Sequence, residues 1–235
     1  MFKRQATRSA EPDIANIGAL IGDPGRATML LALLDGRDLA ASDLSLRAGL
    51  SPQAATAHLK KLVSAGMLTA RDAGRHRFFR LASAEIARAI ETLAAIAPPA
   101  RIVALDQSTA LERMRLARSC YDHLAGRLGV GVTTRLIERG AIAQQGTDFA
   151  LGRRANAIFS ALGIDLDQAR AQRRAFAPVC TDWTERRPHL AGSLGAAVLE
   201  LFLHERWVTR NAKDRALHIT PEGARALRTA FGLTW

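Results

Sequence analysis

Apolar positions recur every three or four residues through most of the chain, and short alternating runs interrupt them. That pattern predicts helices joined by small hairpins. IANIGALI follows Asp13, a capping residue, and GDPGR breaks it with Pro24 and Gly25. ATMLLALLDG is apolar at helical spacing and closes on Gly36. DLAASDLSLRAG reads as a short helix from near Ser42 or Asp43 to Gly49. In LSPQAATAHLKKLVSAG, Ser51 is an N-cap, Pro52 takes the first helical position and Gly66 stops the helix. Leu59, Leu62 and Val63 share one face of it. MLTARDAGRHRFFRL has strand character at both ends, with a turn at Asp72, Ala73, Gly74 and Arg75. From Ser83, AEIARAIETLAAIA predicts a further helix, halted by Pro98 and Pro99.

Helix, helix, short helix, capped helix and basic hairpin make a winged helix-turn-helix. A capped helix of that kind presents its first turns to the DNA major groove. The candidate contact set on it is Ser51, Gln53, Ala54, Thr56, Ala57, His58, Lys60 and Lys61. Gln53 can make paired contacts to adenine, and the lysines can neutralise phosphates. The wing adds Arg71, Arg75, His76 and Arg77 for phosphates or a minor groove. A scaffold or protein-binding helix-turn-helix is the plainer alternative.

Composition supports the DNA reading. The chain has 235 residues, enough for two domains, and is 48% hydrophobic with only 5% aromatics, which favours packed helices. A net charge of +11 attracts polyanions, with a membrane surface as the competing partner. No stretch approaches the ~18–20 apolar residues of a spanning helix. MFKRQATRSAEPDI has no apolar run after its basic residues, so no secretory signal is expected, and residues 1–12 read as a flexible basic arm. Two cysteines make no disulfide framework; they suit a reducing cytoplasm as free thiols or ligands.

LIGDPGRATMLLALLDG and LSLRAGLSPQAATAHLKKLVSAGMLTARDAGRHRFFRL together resemble the ArsR (arsenical-resistance repressor) family of bacterial regulators. The resemblance rests on Asp23, Pro24, Arg26, Leu30, Ser51, Thr56, His58, Leu59, Leu62, Ala65, Gly66 and Leu68, and spans about residues 14–97. It implies a homodimer, a palindromic double-stranded DNA operator, and repression relieved by a ligand. It also implies dimer contacts through residues 13–22 and 83–97. Two departures matter. SDLSLRAG lacks the Cys-x-Cys that many relatives use for metal, and AEIARAIETLAAIA has Glu85 and Glu91 but no histidine. Any sensor is therefore expected within residues 100–235.

That region contains HLAG twice, at His123 and His189, each copy with a cysteine upstream, Cys120 and Cys180. The copies align further through Leu124/Leu190, Gly126/Gly192, Gly129/Gly195, Val132/Val198 and Asp148/Asp214, which predicts an internal repeat. The expected fold class is thus mainly α with small hairpin wings. A winged helix-turn-helix (13–99) precedes a sensor and dimerisation domain (100–235) of two winged-helix-like units, about 120–166 and 186–235. Each unit reads helix, strand, turn, strand, helix.

HLAG is placed at helix starts, with its small residues letting the two HLAG helices pack on each other. Cys120 then lies one helical turn before His123, and a loop through Pro188 can fold Cys180 back to His189. Arg186 and Arg187 are expected to activate the Cys180 thiol. The candidate metal or effector set is Cys120, His123, Cys180 and His189, suited to a thiophilic metal or metalloid ion. A thiol-reactive signal, an organic ligand and purely structural roles remain open beside it. RNAKDR, with Arg210, Lys213 and Arg215, reads as a surface turn able to touch flanking DNA. No acid follows Cys120 and His123 to orient an imidazole, and there is no glycine-rich phosphate loop, so no enzymatic activity is expected. A basic protein-interaction module is the third class.

Overall fold

The computed structural model describes residues 11–98 and 105–235. Residues 1–10 of the expected arm, and the junction at 99–104, lie outside that description. The N-terminal half runs α1 (Ile14–Ile21), α2 (Pro24–Leu33), β1 (Leu39–Ala40), α3 (Ala41–Ala48), α4 (Pro52–Ser64), β2 (Leu68–Ala73), β3 (His76–Leu81) and α5 (Ala84–Ile96). Four of its helices start where side-chain oxygens of Asp13, Asp23, Ser51 and Ser83 accept a backbone N–H three residues on. α3 ends on Gly49 in the left-handed conformation at φ +63°. The sheet order is β1-β3-β2, all antiparallel, so the wing gains a short third strand that the sequence pattern did not indicate. Its turn is tighter than expected, because Asp72 pairs with Arg77 and Ala73 with His76. Met29, Leu30, Leu33, Leu44, Leu59, Leu62, Phe79 and Leu81 fill the core beneath. This is a winged helix-turn-helix.

The C-terminal half starts with α6 (Leu105–Leu116) and then repeats one order of elements. First come β4 (Arg118–Cys120), β5 (His123–Ala125), α7 (Gly126–Glu138), β6 (Ile142–Gln145), β7 (Asp148–Leu151) and α8 (Ala155–Ala161). After α9 (Leu166–Arg170) come β8 (Val179–Thr181), β9 (Pro188–Leu190), α10 (Gly192–His204), β10 (Val208–Arg210), β11 (Leu217–Ile219) and α11 (Pro221–Phe231). Both segments run helix, hairpin, helix, and what precedes each first helix differs from expectation. His-Leu-Ala is a strand, and the helix begins only at the glycine.

The reason is conformational. Gly126 and Gly192 sit at φ +74° and +71°, a left-handed turn from strand into helix that L residues disfavour. Four residues on, a Cβ at Gly129 would overlap the Leu124 carbonyl, and one at Gly195 the Leu190 carbonyl. The small residues thus admit each segment's own preceding strand. The two HLAG helices do not form the main contact between the segments. Instead α7 packs on β9, and α10 on β5, so each helix covers the opposite hairpin. Leu128, Val132, Leu136, Phe149, Phe159, Leu194, Val198 and Phe202 form one continuous core.

The two halves meet along a polar seam. The Tyr121 N–H donates to the Leu34 carbonyl at 2.6 Å, and the Tyr121 side chain packs on the N-terminal core. The Ser119 hydroxyl and Arg210 both donate to Asp35, at 3.0 and 2.8 Å. Arg215 pairs with Glu91 of α5, both buried. Arg37 and Arg47 reach the Asn211 and Ala212 carbonyls. The expected surface turn RNAKDR is therefore docked on the winged helix. Its Arg210 and Arg215 are committed to carboxylates, while Lys213 stays exposed.

Candidate nucleic-acid interface and a buried Cys–His cluster

Ser51 uses its hydroxyl to cap α4, accepting from the Ala54 N–H at 3.2 Å. Buried Ala55, Leu59 and Leu62 anchor the inner face of that helix. Gln53, Thr56, Ala57, Lys60 and Lys61 are exposed on the other, and Ala54 is half-buried. His58 is turned away from this row. Its Nδ1 lies 3.1 Å from Arg26 Nη1 and 3.8 Å from an Asp23 oxygen, so it ties α4 to the start of α2. Arg71, Arg75, His76 and Arg77 are exposed along the wing. Arg80 joins them, a cation the sequence reading left out. Arg71 and Arg80 share Asp38, at 3.2 and 3.4 Å. Exposed cations thus lie on both the capped helix and the wing.

A second constellation is buried between the halves. Cys120 pairs with His123 across β4 and β5, and Cys180 with His189 across β8 and β9. The expected helical-turn relation of Cys120 and His123 is replaced by a two-residue hairpin turn, Tyr121–Asp122, with Tyr121 at φ +59°. The two hairpins face each other. The Cys120 and Cys180 sulfurs are 3.8 Å apart, and the His123 and His189 rings stack at 5.1 Å. One ligand atom from each of the four lies within 4.8 Å of the others, and all four residues are buried.

Of the cluster's four ring nitrogens only His123 Nδ1 has a partner, Asp122 at 3.4 Å. Arg118 and Asp182, both 0% exposed, form an ion pair at 2.8 Å. Asp182 also accepts from the Gly126 N–H at 2.6 Å, capping α7 from the opposite hairpin's loop. The Arg118 guanidinium lies 4.7 Å from the Trp183 ring. Burial alone would raise the Asp182 carboxyl, but Arg118, the Thr184 hydroxyl and His189 hold it well below the usual range. Burial pushes the Cys120 thiol well above its ordinary value. The expected activation of Cys180 by its neighbours does not match their direction: Arg186 donates to the Ala95 carbonyl and Arg187 points to Thr134. His123 Nε2 and both His189 ring nitrogens are buried without a hydrogen-bond partner among the described residues.

Residues 23–70 match the model of a bacterial regulatory protein family, the arsR family. The chain is 43% identical over 212 residues to the HTH-type transcriptional regulator YdfF of Bacillus subtilis (strain 168), covering 90% of this chain and 94% of that one. The chain belongs to the arsR family. Solved structures similar to this chain include HlyU from Vibrio cholerae N16961, 30% identical with a TM-score of 0.32, covering 34% of this chain and 86% of that one. Another is the cadmium metal-sensor CMTR from Mycobacterium tuberculosis, 29% identical with a TM-score of 0.31, covering 39% and 98%. As an ArsR-family protein the chain is a DNA-binding transcriptional regulator. No helix among the described residues is long and apolar enough to cross a membrane.

Proposed function

We propose that this regulator is a cytoplasmic repressor that binds a palindromic operator as a homodimer, with its effector site in the C-terminal half. The carrying observation is the exposed row Gln53, Thr56, Ala57, Lys60 and Lys61 on the Ser-capped helix, flanked by the basic wing. In a chain of net charge +11, that surface matches a duplex. Apolar exposure supports self-association through α1 and α5: Ile14 is 77% and Ile96 76% exposed, and Ile17 and Leu93 are also uncovered. Two such helices from each of two copies would cover these residues and set the half-site spacing. The effector reading rests on the buried Cys–His cluster at the seam.

Fluorescence anisotropy on the DNA upstream of the protein's own gene, against excess random duplex, tests this reading. Saturable binding that resists the competitor, with two chains per site, is the expected result. Equal affinity for random duplex would overturn it in favour of a basic protein-interaction module.

A further inference from the structure

We propose that Cys120, His123, Cys180 and His189 form one tetrahedral site for a single divalent thiophilic metal ion of the zinc class, and that the ion clamps the two hairpins together. The control of DNA affinity by that ion rests on the operator-binding reading above; the site itself does not.

Geometry comes first. Thiolate–zinc bonds of about 2.3 Å at a tetrahedral angle place two sulfurs about 3.8 Å apart. The Cys120 and Cys180 sulfurs are 3.8 Å apart. The remaining donors, within 4.8 Å of one another, need only a small contraction to bind one ion. Each hairpin supplies one sulfur and one imidazole from directly opposed strand positions, so the donor set is fixed by backbone register rather than by mobile loops.

Unsatisfied chemistry comes second. A buried polar atom without a partner has given up its hydration with nothing in return. His189 has two such nitrogens and His123 has one. Ligation satisfies one nitrogen of each ring. A disulfide between the sulfurs would leave all three nitrogens as they are, so the histidines favour a metal over a redox pair. Two thiolates and two neutral imidazoles balance a 2+ ion, the thiol protons leaving to solvent on binding. Arg118 is matched by Asp182, Arg215 by Glu91 and Arg174 by Asp122. A cavity of about 30 Å³ against α5 reaches Cys120, His123 and Cys180, with Glu85, Glu91, Asp122, Arg88 and Arg174 on its wall. Sulfur donors disfavour magnesium and calcium.

The hairpin that carries Cys120 and His123 is also the one that docks on the winged helix. Its turn residue Tyr121 donates to Leu34, and a Cβ on Gly36 would overlap the Tyr121 carbonyl, so the contact is backbone on backbone. Glu91, which lines the same cavity, belongs to α5. Contraction of the four ligands pulls on both contacts, and α5 carries the exposed face assigned to the dimer.

The test uses the reduced full-length protein and cobalt(II), then zinc(II), as the metal alone. Uptake of one cobalt per chain is expected, with intense tetrahedral d–d bands and a thiolate-to-cobalt charge-transfer band that zinc abolishes. Cys180→Ser and His189→Gln should each weaken uptake at least a hundredfold, while His204→Gln, on the surface, leaves it unchanged. Metal should also protect both thiols of the unsubstituted protein from alkylation, a readout independent of how the variants fold. No stoichiometric uptake, a weak octahedral spectrum, or uptake indifferent to both ligand variants would overturn the site. A tenfold or larger change in operator affinity on adding zinc is expected. Unchanged affinity with the site loaded would overturn the coupling. Absence of any operator preference would overturn the operator reading and leave the metal result standing.

Discussion

Replacing Asp182 with alanine takes one buried carboxylate out of a network and leaves five groups without it, the Thr184 hydroxyl among them. Arg118 loses its ion pair at 2.8 Å, Gly126 N–H loses the acceptor at 2.6 Å that starts α7, and the Thr184 and Glu185 amides lose theirs. Removing one member of a buried pair costs about 3–5 kcal/mol, because the remaining charge stays desolvated. For a chain of this size each kcal/mol moves the melting midpoint by about 2–4 °C, so a fall of roughly 6–20 °C is expected. Urea titration followed by tryptophan fluorescence reports the site when Trp207 and Trp235 are replaced by phenylalanine in every chain compared, since the remaining Trp183 ring lies against Arg118. Arg118→Met combined with Asp182→Leu should lose less than Asp182→Ala alone, because no orphan charge remains.

The pH dependence has a definite sign. The folded-state Asp182 carboxyl lies below its unfolded value, so its contribution is complete above the unfolded value near 4 and is lost as pH falls toward the folded value. The gap between the native protein and Asp182→Ala should therefore narrow on acidification below about pH 4. A loss under about 1 kcal/mol at neutral pH, against the 3–5 expected for an orphaned buried charge, would refute the reasoning.

Three further outcomes follow from the geometry. Gly192→Ala adds left-handed strain of about 1–2 kcal/mol and a clash with Pro178 and the Ala175 carbonyl, so its melting midpoint should fall well below that of Gly74→Ala, which has the strain but open space. Lys60→Ala and Lys61→Ala should each flatten the slope of log affinity against log salt by about 1, read by anisotropy at several ionic strengths, with little change in sequence preference. Ile96→Glu should shift sedimentation toward the monomer without loss of far-UV helicity; an unmoved dimer would exclude α5 from the interface.

The winged helix was legible because three of its five helices announce their starts, whereas α2 begins at Pro24 inside a stretch that reads as a break and α3 has no side-chain cap. Asp13, Ser51 and Ser83 cap within three residues of sequence, and Gly49 closes by its own backbone freedom. The C-terminal hairpins were not, since RSC, HLA, VCT and PHL are three residues each and too short to show alternation. Cys-x-x-His is also ambiguous by nature. Residues three apart are neighbours on a helix and equally the opposed ends of a two-residue turn. The repeated glycine after HLA was the available clue, because a left-handed residue at that point ends a strand and opens a helix. The Arg118–Asp182 pair spans 64 residues and leaves no local trace. His58 shows the reverse: its position in the pattern placed it in the DNA-contact set, and its long-range contacts to Asp23 and Arg26 leave no trace there.

The reciprocal cover of β5 by α10 and of β9 by α7 bears on how the chain is made. Neither segment can bury its hairpin until the other exists, so the contacts that finish this half link positions far apart in sequence. Such topology slows folding, because the closure of a long loop precedes any return from it. During synthesis the winged helix has its own core and can form first, while β4 and β5 wait for α10 to leave the ribosome. A chain halted after α9 would display Leu124 and Leu128 uncovered. Quality control, rather than regulation, would then be the first cellular process to meet it.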